Sequence, residues 1–248
     1  MTVPWHDDDA FWRDFDPVMF DEDRFAAAPA EIEALLGLVQ VRPPGSVLDL
    51  CCGPGRHAVE LARRGFTVTG VDRTAAYLER AGARASDAGL QVEWVQDDMR
   101  HFVRPRAFDL AVNLFTAFGY FEDPAQDRQV LDKLRQSLKP GGVLVMDLLG
   151  KEILARKFRQ RDWDRLADGT LIIEDRELQH SFGWIRNQWT LLRQGQTVQV
   201  VVEHRLYAAS ELEGLLRDVG FDQVQSFGSL HGTPYDHEAE RLVVVARR

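Results

Sequence analysis

The segment 47–57 combines an acidic residue with two closely spaced glycines. It reads VLDLCCGPGRH, a short apolar run followed by a Gly-x-Gly turn and the start of a helix. Gly53 and Gly55 can adopt backbone conformations that other residues avoid, and they let a ligand approach the main chain. A turn of this kind between a strand and a helix is typical of sites that hold a nucleotide-like cofactor.

The charge around this turn separates two classes of cofactor. A dinucleotide needs free backbone N–H groups for its pyrophosphate and no neighbouring anion. Here Asp49 precedes the turn, and Pro54 removes one donor. A carboxylate suits an ammonium or a sulfonium cation, so the pattern favours S-adenosylmethionine (SAM), which carries both, over NAD. The spacing Gly53-x-Gly55-x-x-Ala58 also fits the dinucleotide fingerprint, and a turn without any ligand is a third interpretation.

Two further acids follow predicted strands. Asp72 ends the apolar run 67–71, at a position that reaches a ribose diol in nucleotide-binding folds. Asp98 follows the next predicted strand, where a carboxylate can accept an adenine amino proton, and Met99 comes next. Because the carboxyl ends of parallel strands meet at one edge of a sheet, we expect Asp49, Asp72 and Asp98 to face one crevice. Asp72 could instead cap a helix or lie in a solvated loop, and Asp98 could simply be solvated.

The first part of the chain alternates short apolar runs with helical segments. The runs predict strands at 46–50, 67–71, 91–96, 108–113 and 143–147, and helices at 30–39, 56–64, 75–88 and 125–138. This alternation predicts a parallel sheet with helices on both faces.

The pattern changes between residues 169 and 207. Three β-like runs, 170–179, 184–193 and 197–206, follow one another, and Gln194-Gly195-Gln196 predicts a hairpin turn. They indicate a small antiparallel β insertion that covers the main sheet. A helix at 210–219 and strands at 224–227 and 242–246 then complete the main sheet.

Five motifs occur in a fixed order: LDLCCGPGRH, TGVD, VQDDM, FDLAVNLFTAFGYF and LKPGG. Together they resemble the motifs of class I SAM-dependent methyltransferases, closely over 46–147 and loosely over the C-terminal elements. The resemblance implies an α/β, Rossmann-like fold with a seven-stranded, mostly parallel sheet whose last strand is reversed. The inserted sheet resembles the cover of small-molecule N-methyltransferases.

The resemblance also implies a domain organisation. The Rossmann-like SAM-binding domain would comprise 1–150 and 208–248, and the inserted cover 151–207. The N-terminal residues would form a helical lid, with Phe11, Trp12 and Phe15 folded over the cofactor. These aromatic residues could equally form a hydrophobic staple on the first helix.

The resemblance assigns roles around the cofactor. The glycine turn and its acid would surround the methionine moiety, Asp72 would take the ribose hydroxyls, and Asn113 and Leu114 would lie by the amino group and the methyl sulfur. The residues expected to bind the cofactor are Asp49, Cys51, Gly53, Gly55, Asp72, Arg73, Asp98, Met99, Asn113 and Leu114.

The residues around the acceptor are less sharply defined by the sequence. Aromatic residues after the fourth predicted strand could wall the methyl site, and an acceptor amine must lose its proton before it attacks. The catalytic candidates are Tyr120, His231 and Tyr235, and the substrate candidates are Phe118, Tyr120, Arg186, Trp189, His231 and Tyr235. Alternatively, the aromatic residues pack in the core, and His231 and Tyr235 lie in a solvated loop. Arg186 and Trp189 could simply line an exposed sheet face. A metal site at His231, Asp236 and His237 is a further alternative, and we expect none.

The composition argues against several partners. The chain has 248 residues and a net charge of -9. It shows no cluster of Lys or Arg such as phosphate binding needs, so we expect neither nucleic acid nor a membrane as partner. Cys51 and Cys52 are adjacent, a spacing that rarely forms a disulfide, and free thiols fit a cytoplasmic location. Monomer and homodimer both remain open.

The sequence thus predicts a SAM-dependent methyltransferase that acts on N or O of a small molecule, mainly by proximity. Nucleic-acid amino methyltransferases carry an Asn/Asp-Pro-Pro-aromatic tetrad where this chain has Asn113-Leu114-Phe115-Thr116, which argues against nucleic-acid bases as substrates. The alternatives are an NAD(P)-dependent oxidoreductase, a non-catalytic SAM-binding protein, and an RNA or protein methyltransferase.

Overall fold

The computed structural model describes residues 3–248; residues 1 and 2 of the predicted N-terminal lid lie outside the described residues. After a 3-10 turn at Trp5–Asp7, the helices are α1 (Asp9–Asp14), α2 (Asp16–Met19), α3 (Glu22–Val39), α4 (Arg56–Arg63), α5 (Ala75–Asp87), α6 (Pro124–Ser137), α7 (Lys151–Lys157) and α8 (Ala209–Val219). The strands are β1 (Ser46–Leu50), β2 (Thr67–Asp72), β3 (Glu93–Gln96), β4 (Phe108–Asn113), β5 (Leu138–Leu148), β6 (Arg161–Arg165), β7 (Leu171–Gln179), β8 (Trp184–Arg193), β9 (Gln196–Arg205), β10 (Asp222–Phe227) and β11 (Leu242–Arg247).

The main sheet has seven strands in the order β10-β11-β5-β4-β1-β2-β3. Strand β1 pairs in parallel with β2 and β4, and β4 pairs in parallel with β5. Strand β11 runs antiparallel to both of its neighbours, β5 and β10. The predicted fold class, a seven-stranded mostly parallel sheet with the last strand reversed, is confirmed.

Helices cover both faces of this sheet because each contributes an apolar stripe to one of two cores. One core holds Leu131 of α6 and Leu216 of α8, both fully buried. The other holds Leu35 of α3 and Leu61 of α4. No helix within residues 3–248 has the length and apolar character that crossing a membrane requires.

The second sheet is antiparallel, with strands in the order β6-β7-β8-β9. Gln194 and Gly195 both have positive φ, 50° and 79°, as a two-residue hairpin turn requires. The inner face of this sheet buries Ile172 and Leu191 against Phe11 and Phe15 of the N-terminal segment. The N-terminal segment therefore shares a hydrophobic core with the inserted sheet.

Several elements differ from the sequence-based expectation. Strand β6 (RDWDR) was not predicted, because it is a charged edge strand without alternating apolar residues. Helix α3 begins before the predicted residue 30, since Asp21 caps it by accepting a hydrogen bond from the N–H of Arg24 at 2.8 Å, and the helix continues through Pro29. The short helix α7 was also missed, whereas α1 and α2 lie in the N-terminal segment that was expected to be helical.

Candidate active site

A deep crevice lies at the carboxyl ends of β1 to β4. Its volume is about 890 Å³ including its mouth. Asp49, Asp72 and Asp98 all line it, so the structure brings together the three acids that the sequence singled out. The N-terminal segment, residues 5–20, closes one side with His6, Trp12 and other side chains.

The two glycines of the turn have different surroundings. Gly53, at φ 52°, lines the crevice, and a Cβ there would meet the Phe20 ring at 3.0 Å. Gly55, at φ 80°, is not among the lining residues. A Cβ at Gly55 would lie 2.7 Å from Cβ of Ala81 and 2.9 Å from the Trp94 ring. Gly53 therefore keeps the crevice open, whereas Gly55 allows helices and sheet to pack.

Asp49 is a buried acid with an unused acceptor. It is 2% exposed, and its Oδ2 has no hydrogen-bond partner within the described residues. Burial raises the pKa of Asp49 to about 7, despite the opposing charge of Arg56. A cationic ligand group in the crevice would supply the missing partner.

Asp72 holds the glycine turn in place. Its Oδ2 accepts a hydrogen bond from the N–H of Gly53 at 2.8 Å, and its Oδ1 accepts one from the N–H of Thr74 at 2.9 Å. Burial raises the pKa of this carboxyl, and the two backbone donors oppose that rise. Each oxygen keeps a second lone pair for a ligand hydroxyl.

Asp98 is engaged by a neighbouring arginine. Arg100 donates from Nε to Oδ1 at 2.9 Å and from Nη2 to Oδ2 at 2.6 Å. Burial alone would raise the pKa of Asp98, but the hydrogen bonds from Arg100 outweigh it and the pKa is lowered. Asp98 is therefore a fixed anion beside Met99, whose sulfur lies 3.7 Å from the Cys51 sulfur.

Most of the predicted cofactor residues line the crevice. They are Asp49, Cys51, Gly53, Asp72, Arg73, Asp98, Met99 and Leu114. Asn113 does not line it: this fully buried amide donates from Nδ2 to the carbonyls of Leu50 and Ala117, at 3.1 Å each. Asn113 thus ties the end of β1 to the loop after β4.

Arg73 also binds protein rather than open crevice. It donates from Nη1 to the carbonyl of His6 at 3.2 Å and from Nη2 to the carbonyl of Asp7 at 2.9 Å. Tyr77 donates to the carbonyl of Trp12 at 2.7 Å. These contacts dock the N-terminal segment beside the acid that ends β2.

Of the predicted substrate and catalytic residues, only Tyr120 lines the crevice. Its ring lies 4.7 Å from that of Trp5. Burial raises the pKa of Tyr120 well above its usual value, so its phenol keeps its proton at neutral pH. Tyr120 can donate a hydrogen bond here but is a poor base.

The other candidates lie outside the crevice lining. Phe118 is core and packs against Tyr207, with ring centroids 5.4 Å apart. The remaining candidates have these surroundings: Arg186 pairs with Glu203 at 3.3 Å, Trp189 packs on Phe11 and Phe15, His231 is exposed, and Tyr235 donates to Glu152 at 2.8 Å. Their predicted roles stay predictions, without support from this geometry.

Sequence reasoning missed a set of lining residues. Trp12 had been considered as part of a lid, but the other members had not been assigned to the site: His6, Asp7, Met19, Phe20, Arg56, His57 and Tyr77. The available signal was the dense mixture of Trp, His, Phe and Asp in WHDDDAFW. No group of three or more potential metal ligands was found in residues 3–248.

Comparison with known proteins agrees with this site. A family model described as a methyltransferase domain matches residues 47–142. The dTDP-3-amino-3,4,6-trideoxy-alpha-D-glucopyranose N,N-dimethyltransferase of Streptomyces venezuelae is 31% identical over 120 residues, covering 48% of this chain and 49% of that protein. The chain thus spans about half the length of this curated relative.

Solved structures share the whole architecture. A SAM-dependent methyltransferase from Clostridium acetobutylicum has a TM-score of 0.80 at 16% identity, covering 96% of this chain and 97% of its own. The amino pentose methyltransferase CalS10 from Micromonospora echinaspora, solved with SAM bound, has a TM-score of 0.64 at 23% identity and covers 91% of this chain and 90% of its own. At these identities the similarity shows the fold.

Proposed function

We propose that this chain, whose residues 47–142 belong to the methyltransferase domain family, is a SAM-dependent methyltransferase acting on N or O of a small molecule. The observation that carries the proposal is Asp49, a buried carboxylate with an unused oxygen that shares one crevice with Asp72 and Asp98. An unpaired buried acid is costly, and a cationic ligand offsets that cost.

The residues present fit SAM along its length. Asp49 would hold the ammonium group, Asp72 the ribose hydroxyls, and the Asp98–Met99 segment the adenine. Gly53 leaves room for the main chain to approach the ligand, since it has no Cβ. A pyrophosphate would lie beside the same acids and be repelled, which argues against NAD(P) and an oxidoreductase.

The protein's own task would be alignment and exclusion of water. SAM supplies an already activated methyl group. Trp12, Phe20 and Phe121 line the crevice and would keep water from the transfer. Holding acceptor and donor in line can contribute on the order of 7–11 kcal/mol to the lowering of the barrier.

Three observations support a small acceptor. The N-terminal segment closes one side of the crevice, which leaves less room for a large polymer. The chain's net charge of -9 disfavours nucleic acid. One related protein is named as an N,N-dimethyltransferase of a dTDP-linked amino sugar, and another as an O-methyltransferase of ubiquinone biosynthesis. A cytoplasmic location and a monomeric or homodimeric state stay predictions.

Isothermal titration calorimetry tests the proposal. S-adenosylhomocysteine and SAM should bind with one site per chain, and NAD should not. Isotopically labelled SAM incubated with a panel of amines, phenols and hydroxy compounds should then give labelled product. Binding of NAD in place of SAM would overturn the proposal, and binding without transfer across the panel would favour a non-catalytic SAM-binding protein.

A further inference from the structure

His6 is the imidazole that the N-terminal segment places in the crevice. Its side chain is 11% exposed, and it lies on the 3-10 turn before α1. The carbonyl of His6 accepts hydrogen bonds from Nε1 of Trp12 at 3.0 Å and from Nη1 of Arg73 at 3.2 Å. Two hydrogen bonds therefore hold the backbone of His6 at the crevice.

The ring of His6 is held on three sides. It stacks on Tyr120 with centroids 6.1 Å apart, and it meets the edge of Phe121 at 5.3 Å. Its Nδ1 lies 3.3 Å from Oδ1 of Asp7. A carboxylate at Nδ1 favours the tautomer with the proton on Nδ1, which leaves the lone pair on Nε2.

The charges that face His6 come from several elements. Asp7 lies on its own turn, Arg73 follows β2, and Asp98 and Arg100 follow β3. Burial lowers the pKa of His6, Arg100 lowers it further, and Asp7 and Asp98 act in the opposite direction. The ring is therefore neutral at pH 7, the state in which imidazole can take up a proton.

We propose that His6 accepts the acceptor's proton during methyl transfer, with Asp7 as its positioning residue. This inference rests on the proposed function and adds the acceptor class: a primary or secondary amine or a hydroxyl compound, which carries a proton on the attacking atom. A neutral tertiary amine or a thioether acceptor has no proton on its attacking atom and would not need His6 in this step.

The step balances in atoms and charge. The lone pair of the attacking N or O forms the bond to the methyl carbon, and the carbon–sulfur bond breaks with its electron pair going to sulfur. The sulfonium becomes a neutral thioether. The proton of the attacking atom moves to Nε2 of His6, which becomes imidazolium beside Asp7 and later releases the proton to solvent.

The other titratable groups of the crevice are less suited to this task. Nε2 of His57 is bound to Oε2 of Glu31 at 2.7 Å. Tyr120 and Cys51 both have pKa values raised by burial, so both stay protonated. Asp49 is assigned to the ligand's cationic group. Of the two imidazoles that line the crevice, His6 is the one that is not tied to α3 through a carboxylate.

The first experiment needs no acceptor. The imidazole resonances of 15N-labelled protein are titrated with pH in complexes with S-adenosylhomocysteine, which has a neutral thioether, and with sinefungin, which has an ammonium group at the methyl position. The pKa of His6 should be lower by about 1 or more with sinefungin, because a positive charge lies near the ring. The resonances of His180, at an exposed turn outside the crevice lining, serve as the reference signals in both complexes.

The outcomes separate the two proposals. If neither ligand binds, the proposed function fails. If both bind and the pKa of His6 is the same in the two complexes, the ring is far from the methyl position and the inference about His6 is overturned.

The second experiment uses labelled SAM and an amine or phenol acceptor from the screened panel. His6→Gln should lower kcat by about 100-fold or more, with SAM affinity within about 3-fold of wild type, and should remove the rise of kcat with pH below neutrality. Asp7→Asn should shift that rise to lower pH, since Asp7 raises the pKa of His6. His180→Gln is the matched control. An unchanged pH profile in folded His6→Gln would contradict the assignment.

Discussion

At the scale of one residue, the ionisation of Asp49 makes the stability of the folded chain depend on pH. Its pKa is about 7 in the folded chain, above the ordinary 3.8, so the folded state disfavours ionisation. Such a group gives stability below about pH 4 that is lost as pH rises through 7. The shift corresponds to about 4 kcal/mol at most. The ligand-free protein should therefore become less stable between pH 4 and pH 7 through this residue.

Asp49→Asn should have opposite effects on stability and binding. Without ligand at pH 8, it should raise the free energy of unfolding measured in urea, because no buried charge remains. The affinity for S-adenosylhomocysteine, measured by calorimetry, should fall by about 10-fold or more, since a charged hydrogen bond contributes about 1.5–3 kcal/mol. 5'-Methylthioadenosine, which lacks the amino acid, is the matched ligand and should bind both proteins equally. Equal losses for both ligands would refute the assigned contact.

The two glycines of the turn give a second contrast between neighbouring residues. Gly53→Ala should lower the affinity for SAM more than it lowers the free energy of unfolding. The Cβ of alanine would contact only the Phe20 ring, at 3.0 Å, on the crevice side. Gly55→Ala should lower the free energy of unfolding by about 1–3 kcal/mol, since the Cβ of alanine would overlap Ala81 and Trp94. Calorimetry and urea unfolding of both variants check this, and a reversed order would contradict the site.

That three acids line one crevice could be predicted from the sequence, because the ends of strands define their positions. Asp49 lies one residue before the end of a predicted strand, and Asp72 and Asp98 follow the ends of two others, so sheet topology places them at one edge. The sequence could not show that Gly55 and Asn113 turn away from the crevice. That depends on how α5 and the loop after β4 pack, which has no local signal.

At the scale of elements, the N-terminal segment determines access to the crevice. Arg73 donates to the carbonyls of His6 and Asp7, and it also pairs with Asp9 at 3.0 Å. These contacts come from the loop after β2, next to the acid assigned to ribose. Arg73 thus joins the segment to the ligand site, beside the hydrogen bond from Tyr77 to Trp12.

Arg73→Met should loosen this segment without unfolding the protein. Amide hydrogen exchange over residues 5–15 should become at least about 10-fold faster, because two charge-assisted hydrogen bonds are lost. Dissociation of S-adenosylhomocysteine should also be faster in stopped-flow measurements. Arg63→Met, which removes the pair that an exposed arginine makes with Glu60 far from the N-terminal segment, is the control. Unchanged exchange in the Arg73 variant would mean that other contacts hold the segment.

The elements themselves were predictable where apolar periodicity is strong. Strands β1 and β8 were predicted with their observed bounds, because both have clear apolar runs bounded by turn residues. The N-terminal segment was expected to be helical, but the bounds of α1 and α2 were not predicted, since each is shorter than two turns and docks on the inserted sheet. Short elements of this kind depend on tertiary contacts.

At the scale of the whole molecule, Asp127 joins the inserted sheet to the main domain. This fully buried acid of α6 accepts a hydrogen bond from Tyr207 at 2.7 Å and lies 3.4 Å from Nε of Arg205, at the end of β9. Burial raises the pKa of Asp127 to about 6, against the effects of Tyr207 and Arg205. The junction is therefore charged at neutral pH and depends on both partners.

Tyr207→Phe should destabilise the protein in a pH-dependent way. At pH 8 the free energy of unfolding should fall by about 1–3 kcal/mol, because a buried carboxylate loses its donor. Below pH 5 Asp127 is protonated and the loss should be smaller. Tyr235→Phe, which removes a more exposed bond to Glu152, should cost less than about 1 kcal/mol at either pH. A loss independent of pH would show that packing, not this hydrogen bond, is responsible.

A crystal structure with S-adenosylhomocysteine tests the central claim most directly. The account predicts one ligand in the crevice, with its amino nitrogen within hydrogen-bond distance of Asp49 Oδ2 and its ribose hydroxyls at Asp72. A ligand bound elsewhere, or with its amino acid turned away from Asp49, would contradict the account.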